Sequence, residues 1–341
     1  MFSKDIGIDL GTANVLIHVK GKGVVLDEPS VVAIETTTKR VLAVGEEARR
    51  MIGRAPENIV VIRPLRDGVI ADFEVTETML KHFINKVGAR SWYSHPRILI
   101  CAPTNITSVE QKSIREAAER SGAKEVFLEA EPKAAAIGAG MNIFEPSGNM
   151  VIDIGGGTTD IAVLSMGDIV TSSSLKVAGD KFDESVMRHI KNKYKLLIGE
   201  RTAEDIKINI ATVRPGGLQR EMDIRGRDIV SGLPKTITIS SGEVQEALSD
   251  TILSIVAAAK TVLEQTPPEL SADIIDRGVI LTGGGAMLDG LEELLSQELH
   301  VPVLVAEDPM HCVVKGTGIM LNNLDKVSKK SSSLTDISSR M

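Results

Sequence analysis

Aromatic residues are scarce in this 341-residue chain: six Phe, two Tyr and one Trp, 3% in all. Its cores must therefore be built from Val, Ile, Leu, Ala and Met. Cysteine is scarcer still, with Cys101 and Cys312 alone, each among apolar neighbours. Two isolated cysteines exclude a disulfide scaffold and a zinc site, and read as small buried hydrophobes. The six histidines form no HExxH or Cys/His cluster, so no transition-metal site is visible. No apolar run approaches the roughly 20 residues of a membrane span. The opening MFSKDIGIDL has no apolar signal region, so the chain is expected in the cytoplasm. A basic footprint is missing too: with 39 Lys+Arg against 46 Asp+Glu and a net charge of −7, a nucleic-acid partner is not expected.

What is present is the composition of a folded soluble protein, 43% hydrophobic and 25% charged, long enough for two domains. Strand-like and helix-like runs alternate, which predicts an α/β fold. DIGIDLG (5–11), NVLIHVK (14–20), GVVLDEP (23–29), SVVAIE (30–35) and RVLAVG (40–45) read as strands. A helix is expected over 75–88, with Val75, Met79, His82, Phe83 and Val87 on one face. RILICAP (97–103) reads as a buried strand, and 108–122 as an amphipathic helix ending on Gly122. After the strand EVFLEAEP, Pro132 opens a small-residue helix. Further helices are expected near 180–193, 202–212 and 243–265, with strands at 220–225 and 235–240. GVILTGGG (278–285) reads as a final strand leading into the helix MLDGLEELLSQEL. The Ser- and Lys-rich stretch 326–341 reads as a disordered tail.

The second half opens as the first does. DLGTAN and DIGGGTTD each place an acid at the end of an apolar strand, then Gly, Thr and a return strand. This predicts two related halves facing each other. Glycine in such turns lets an oxyanion approach the backbone, and successive N–H groups with a Thr hydroxyl can cradle a phosphate. Asp9 and Asp153, at the two strand ends, could hold Mg²⁺ through its retained waters. A plain hairpin would also explain Gly11, but Gly155, Gly156 and Gly157 in a row cost backbone entropy that a hairpin does not require. A third turn, Gly283-Gly284-Gly285, would admit a flat adenine or ribose, or simply join strand to helix. The chain has neither GxxxxGK[ST] nor a strand–GxGxxG–helix fingerprint, so it is neither a P-loop nor a dinucleotide-binding protein.

The segments GIDLGTAN, RPLRDGVIADFEVTE, CAPTNITSVEQ, EPKAAAIGAG, DIGGGTTDIAV, GERTAEDIK and LTGGGAML resemble the actin/Hsp70/hexokinase superfamily and, within it, the MreB-type bacterial actins. The resemblance covers about 1–325, and ANVLIHVKGKG and the C-terminal third are most similar to the MreB-like (Mbl) branch. It implies an actin-like duplicated ATPase fold of two lobes, each with an inserted subdomain. The expected cores are 1–32, 66–145 and 315–325 for the first lobe, and 146–181 and 246–314 for the second. The inserts are expected at 33–65 and 182–245. It further implies ATP in the cleft, with Thr12, Ala13 and Asn14 on its phosphates from one lobe and Gly156, Gly157 and Thr158 from the other. Glu204, Asp205, Ile206 and Lys207 would lie over the nucleoside, and Gly284, Gly285, Ala286 and Met287 would line the adenosine pocket. Asp9 and Asp153 would hold hydrated Mg²⁺, and Glu131 would orient the attacking water. By residue type alone, Glu204 and Lys207 are a surface ion pair and Glu131 caps a helix. One departure stands out: actin has a lysine soon after its first phosphate turn, where this chain has Val15 and Leu16.

The function implied is an ATP-hydrolysing filament on the inner face of the cell membrane, made of copies of this chain and working with the cell-wall elongation machinery to maintain rod shape. A small-molecule kinase on the same fold is the alternative; it would need a domain for its acceptor, which is not visible. An Hsp70-like chaperone would need a separate substrate domain. Trp92 and Tyr93, adjacent in the polar stretch ARSWYSHP, suit a lipid–water interface. MreB-type proteins are similar there, with an apolar pair at the tip of the same loop. MFSKDI is too short for an N-terminal amphipathic anchor, so the loop is expected to carry the membrane contact.

Overall fold

The computed structural model describes residues 5–88, 95–214 and 216–322. Trp92, Tyr93 and the tail from 326 lie outside the described residues.

Two five-stranded sheets carry the fold, and they share one topology. The first runs Glu125–Ala130, Arg97–Ala102, Ile6–Leu10, Asn14–Val19, Gly23–Pro29. The second runs Val303–Val305, Val279–Thr282, Asn149–Ile154, Thr159–Ser165, Asp168–Leu175. In each, the acid-bearing strand is central, antiparallel to its return strand and parallel to a later one. Covered on both faces, NMVIDI is buried throughout and IGIDL nearly so, which is why both read as continuous apolar runs. Two three-stranded sheets are added: Val32–Glu35 between Val41–Val44 and Ile59–Ile62, and Glu221–Asp228 between Leu196–Leu197 and Pro234–Ser240.

The helix Phe73–Lys86 starts on Asp72, whose carboxylate accepts from the Val75 amide at 3.1 Å. Val75, Met79 and Phe83 are buried as expected, but His82 is exposed; Thr76, Leu80 and Ile84 complete the stripe instead. The buried positions 75, 76, 79, 80, 83 and 84 repeat every four residues as adjacent pairs, and at 100° per residue position 82 lies just beyond the edge of that stripe, on the solvent side of Val75. Capping boxes begin Ser108–Arg120 (Thr107 with Glu110) and Ser241–Gln265 (Ser240 with Glu243). The helix expected from Met287 is broken: Gly284–Met287 is a 3₁₀ turn, and the α-helix Leu291–Leu299 starts only after Gly290, at φ +80°. The hairpin Leu65–Arg66/Val69–Ile70 was not expected, although Asp67-Gly68, both left-handed at φ +50° and +75°, is a strong type I′ signal. Pro268–Arg277, Val303–Val305 and Cys312–Leu321 were missed as well.

Two helices join the sheets. Glu131–Gly138 packs on Asn149–Ile154 and Thr159–Ser165 of the second sheet. Cys312–Leu321 packs on Ile6–Leu10 and Asn14–Val19 of the first. They cross backbone to backbone: a Cβ on Gly138 would overlap the Cys312 carbonyl, and one on Gly316 the Ala134 carbonyl. Neither neighbour is a flexible side chain, so the clash forces the helices apart. Gly316→Ala is therefore expected to destabilise the protein by at least about 2 kcal/mol. Gly284→Ala, with no atom within 4 Å of the new Cβ, should change stability by less than about 0.5 kcal/mol. Urea unfolding followed by circular dichroism checks both, and equal midpoints would show that the crossing yields.

Candidate functional site

The turns that leave the two central strands meet. A Cβ on Gly156 would lie 2.6 Å from the Ala13 Cβ and 3.0 Å from its amide nitrogen. On Gly157 it would overlap the Thr12 hydroxyl and reach the Asp67 amide at 3.0 Å. These glycines are thus required first by the approach of the two turns. Ser30 fixes the first turn, its hydroxyl donating to the Gly11 carbonyl (2.6 Å) and its amide to that of Ala13 (2.9 Å). The Gly68 amide donates to Thr12 Oγ1 at 3.1 Å, which binds the hairpin to the same turn. In the second turn the carbonyls are spent on the start of the helix Gly179–Tyr194: Gly179 N donates to Gly155 O (3.1 Å) and Asp180 N to Gly156 O (2.8 Å). The Gly155 amide is itself spent on the Thr158 carbonyl at 2.9 Å, so the amides of Gly156 and Gly157 are the ones that could take an anion.

Asp9, Glu131, Asp153 and Asp160 converge behind these turns. Burial first, then the charges of Asp153 and Asp27, push Asp9 up to about 8. Asp153 rises less, to about 6: burial and Asp160 raise it, but Thr282 Oγ1 donates to its Oδ1 at 2.7 Å. The two acids occupy equivalent places, and their neighbours on the parallel strand differ. Register sets Asp153 beside Thr282 and Asp9 beside Cys101, whose thiol is itself pushed well up by burial and Asp9. Glu131, at the first position of its helix, is raised well above the ordinary carboxylate range by burial and by Asp160, Asp9 and Asp153. Asp160 Oδ1 accepts from the Thr104 amide (3.0 Å) and hydroxyl (3.2 Å), while its buried Oδ2 has no partner. Among the described residues, no three His, Cys, Asp or Glu side chains are placed to ligate a metal directly. The acids therefore suit a hydrated cation held through water, as Mg²⁺ prefers.

The other expected site residues fall as follows. Asn14 Nδ2 donates to Asp27 Oδ1 at 2.7 Å. Thr158 is buried and its carbonyl accepts from Gly155. Gly284 and the largely exposed Met287 face open space, whereas Gly283 and Gly285 are needed because a Cβ there would strike Ile154. Ala286 is buried. On the helix Glu200–Ile210, Glu204 bonds Arg49 at 2.7 Å and Asp205 is exposed. Lys207 sends its ammonium to the Gly179 carbonyl (3.2 Å) and Asp183 (3.0 Å), beside the second glycine turn. Ile206 is fully buried, its side chain packed in the second half's core. Sequence reasoning passed over Asp160, Thr104, Thr282 and Asp67-Gly68, although Asp160 closes the quoted run GGGTTD.

The MreB/Mbl protein family model matches residues 3–329. This chain belongs to the MreB/Mbl family. It is 73% identical to the cell shape-determining protein Mbl of Bacillus cereus over 97% of this chain and 99% of that one. Against the cell shape-determining protein MreB of Escherichia coli K12 the identity is 52%, over 95% of each. The crystal structure of MreB5 of Spiroplasma citri bound to AMPPNP superposes with a TM-score of 0.91 at 40% identity, over 98% of this chain and 99% of that one. A MamK double helical filament subunit, 22% identical, shares the fold at a TM-score of 0.81 over 94% and 99%. The fold is thus the actin-like one.

In this family member the acid cluster makes stability depend on pH. Asp9 stays protonated in the folded state up to about pH 8 but ionises near 3.8 when unfolded. Between those values the folded state binds the extra proton, so stability falls as pH rises, by up to about 1.4 kcal/mol per unit. Asp9→Asn removes that loss. Without divalent ions or nucleotide, the variant should melt near the wild-type temperature at pH 4 and several degrees above it at pH 8. Parallel melting curves across that range would show that Asp9 is ionised in the fold.

Proposed function

We propose that this chain binds ATP with Mg²⁺ between its two lobes, hydrolyses it, and assembles with further copies of itself into filaments. These filaments lie on the inner face of the cell membrane, direct wall synthesis with the elongation machinery, and maintain rod shape. The observation that carries the reading is the meeting of two glycine turns over two equivalent acids, Asp9 and Asp153. The names of the MreB and Mbl relatives supply the cell-shape role, and the AMPPNP and ADP held by Spiroplasma MreB5 supply the nucleotide. The reading carries with it the division into two lobes, with inserts at 33–65 and 182–245.

The residues then divide the work. Amides of Gly156 and Gly157 and the hydroxyls of Thr12 and Thr158 take the phosphates. Asp9 and Asp153 would hold hydrated Mg²⁺, which would supply positive charge against the phosphates. With such a cation between them, both acids would be held in their ionised forms. Gly284 offers the flat, open surface for the nucleoside. Glu131 sits at the start of its helix among the acids, placed to orient a water toward the terminal phosphate. Phosphoryl transfer depends mainly on positioning and charge stabilisation, so one such carboxyl is enough to control the rate.

Glu131→Gln should therefore lower phosphate release about 10²-fold while nucleotide affinity stays within a few-fold. Unchanged turnover would reduce Glu131 to a helix cap. Pelleting that grows with protein concentration in Mg-ATP, with no acceptor added, distinguishes the filament from a kinase.

For the membrane, no helix among the described residues is long and apolar enough to span a bilayer, so contact must be peripheral or made elsewhere in the chain. We assign it to Trp92 and Tyr93. Trp92→Ala with Tyr93→Ala is expected to weaken co-sedimentation with liposomes at unchanged ATP affinity; wild-type co-sedimentation would remove this pair as the anchor.

A further inference from the structure

The two halves are tied in two unlike ways. At the floor they meet through the glycine crossing of Glu131–Gly138 and Cys312–Leu321, packed without side chains between the backbones. Near the glycine turns, two ion pairs link them. Arg49 Nη2 lies 2.7 Å from Glu204 Oε2, and Arg63 Nη2 lies 3.5 Å from Glu200 Oε2. Glu200 and Glu204 are one turn apart on the same helix, so they present two carboxylates on one face.

Both sides of this contact lead straight to the turns. The helix carrying the two glutamates also carries Lys207, bonded to Gly179 beside the second turn. Arg63 lies two residues before the Leu65–Ile70 hairpin, whose Gly68 amide holds Thr12 in the first turn. Arg49 ends the short helix Glu46–Arg49, whose first amide is held by Glu28 of the strand next to the first turn. The pairs thus bridge the opening between the turns. All four side chains are partly exposed, from 26% for Arg63 to 57% for Glu200. Exposed pairs of this kind are weak and screened by salt. Beside a rigid floor, they can part without unfolding anything.

We propose that Arg49 and Arg63 clasp the nucleotide site by pairing with Glu204 and Glu200, and so set the rate at which nucleotide leaves. Arg49 also fixes the Glu204 carboxylate, making it a positioning residue for the nucleoside side of the site. The proposal rests on the nucleotide reading above. The test is stopped-flow release of a fluorescent ATP analogue, preloaded on the full chain and chased with ATP, at about 50 and 300 mM salt. Arg49→Gln with Arg63→Gln should release it about 3- to 10-fold faster at low salt and lose most of the salt dependence. Its melting temperature should stay within about 2 °C of wild type, since exposed pairs add little stability. Arg63→Glu alone should release faster than wild type, and adding Glu200→Arg should bring the rate back toward it. Binding with unchanged or slower release in the variants overturns the clasp alone. A wild type that never binds the analogue overturns the nucleotide reading and the clasp with it.

Discussion

Four carboxyl groups share one buried meeting point between two sheets, and much of the fold serves to keep them there. Burial raises the proton affinity of Asp9, Glu131, Asp153 and Asp160, neighbouring carboxylates raise the first three further, and among the described residues none has a basic side chain as a bonded partner. Such a cluster opposes its own folding and persists only where surrounding packing over-determines it. The two sheets do that by burying their central strands on both faces. The glycine turns do it by closing to contact over the acids. A cation and a phosphate would turn this opposition into affinity, since the ionised acids and the free amide edges offer the two charges such a ligand needs.

The contrast between floor and opening follows from the same geometry. Gly138 and Gly316 let two helices touch through their backbones, a contact that tolerates neither added volume nor sliding. The opening is spanned by guanidinium–carboxylate pairs in water, whose strength lies near thermal energy. Motion between the halves is therefore expected to pivot on the helix crossing and to open at the charges. That is the arrangement of a hinge, and it follows from where glycine and arginine stand rather than from any loose segment.

Much of this was legible in the sequence because it repeats. The acid-Gly-Thr pattern recurs on strands that prove to hold the same central place in matching sheets, so the duplication, the turns and Asp9 and Asp153 could be read directly. Other features were hidden for physical reasons. His82 looked like a core residue because its spacing from Met79 is helical, but the stripe is set by Thr76, Leu80 and Ile84. Ile206 lies inside a polar run, and the helix turns it into the core while Glu204, Asp205 and Lys207 face outward. Gly156 and Gly157 read as phosphate contacts, yet their first obligation is to Ala13 and Thr12, a long-range approach no local pattern announces. The Asp67-Gly68 turn, by contrast, was announced by its dipeptide and missed.

Duplication also makes the remaining asymmetry interpretable. Asp9 and Asp153 end equivalent strands, and each has one neighbour in register on the parallel strand beside it. For Asp153 that neighbour is Thr282, whose hydroxyl donates to the carboxylate; for Asp9 it is Cys101, whose thiol is a much weaker donor. That difference acts in the direction in which their proton affinities part: burial and the charges of Asp153 and Asp27 raise Asp9 to about 8, whereas the Thr282 hydroxyl holds Asp153 to about 6. At neutral pH one half thus offers a largely ionised acid and the other a largely protonated one. A cation bound between them, as proposed above, would meet one charge already present and would have to displace one proton. The two halves, alike in backbone, are in this way unequal in chemistry, and the inequality is written in the residue opposite each aspartate and in the charges around it rather than in the aspartates themselves.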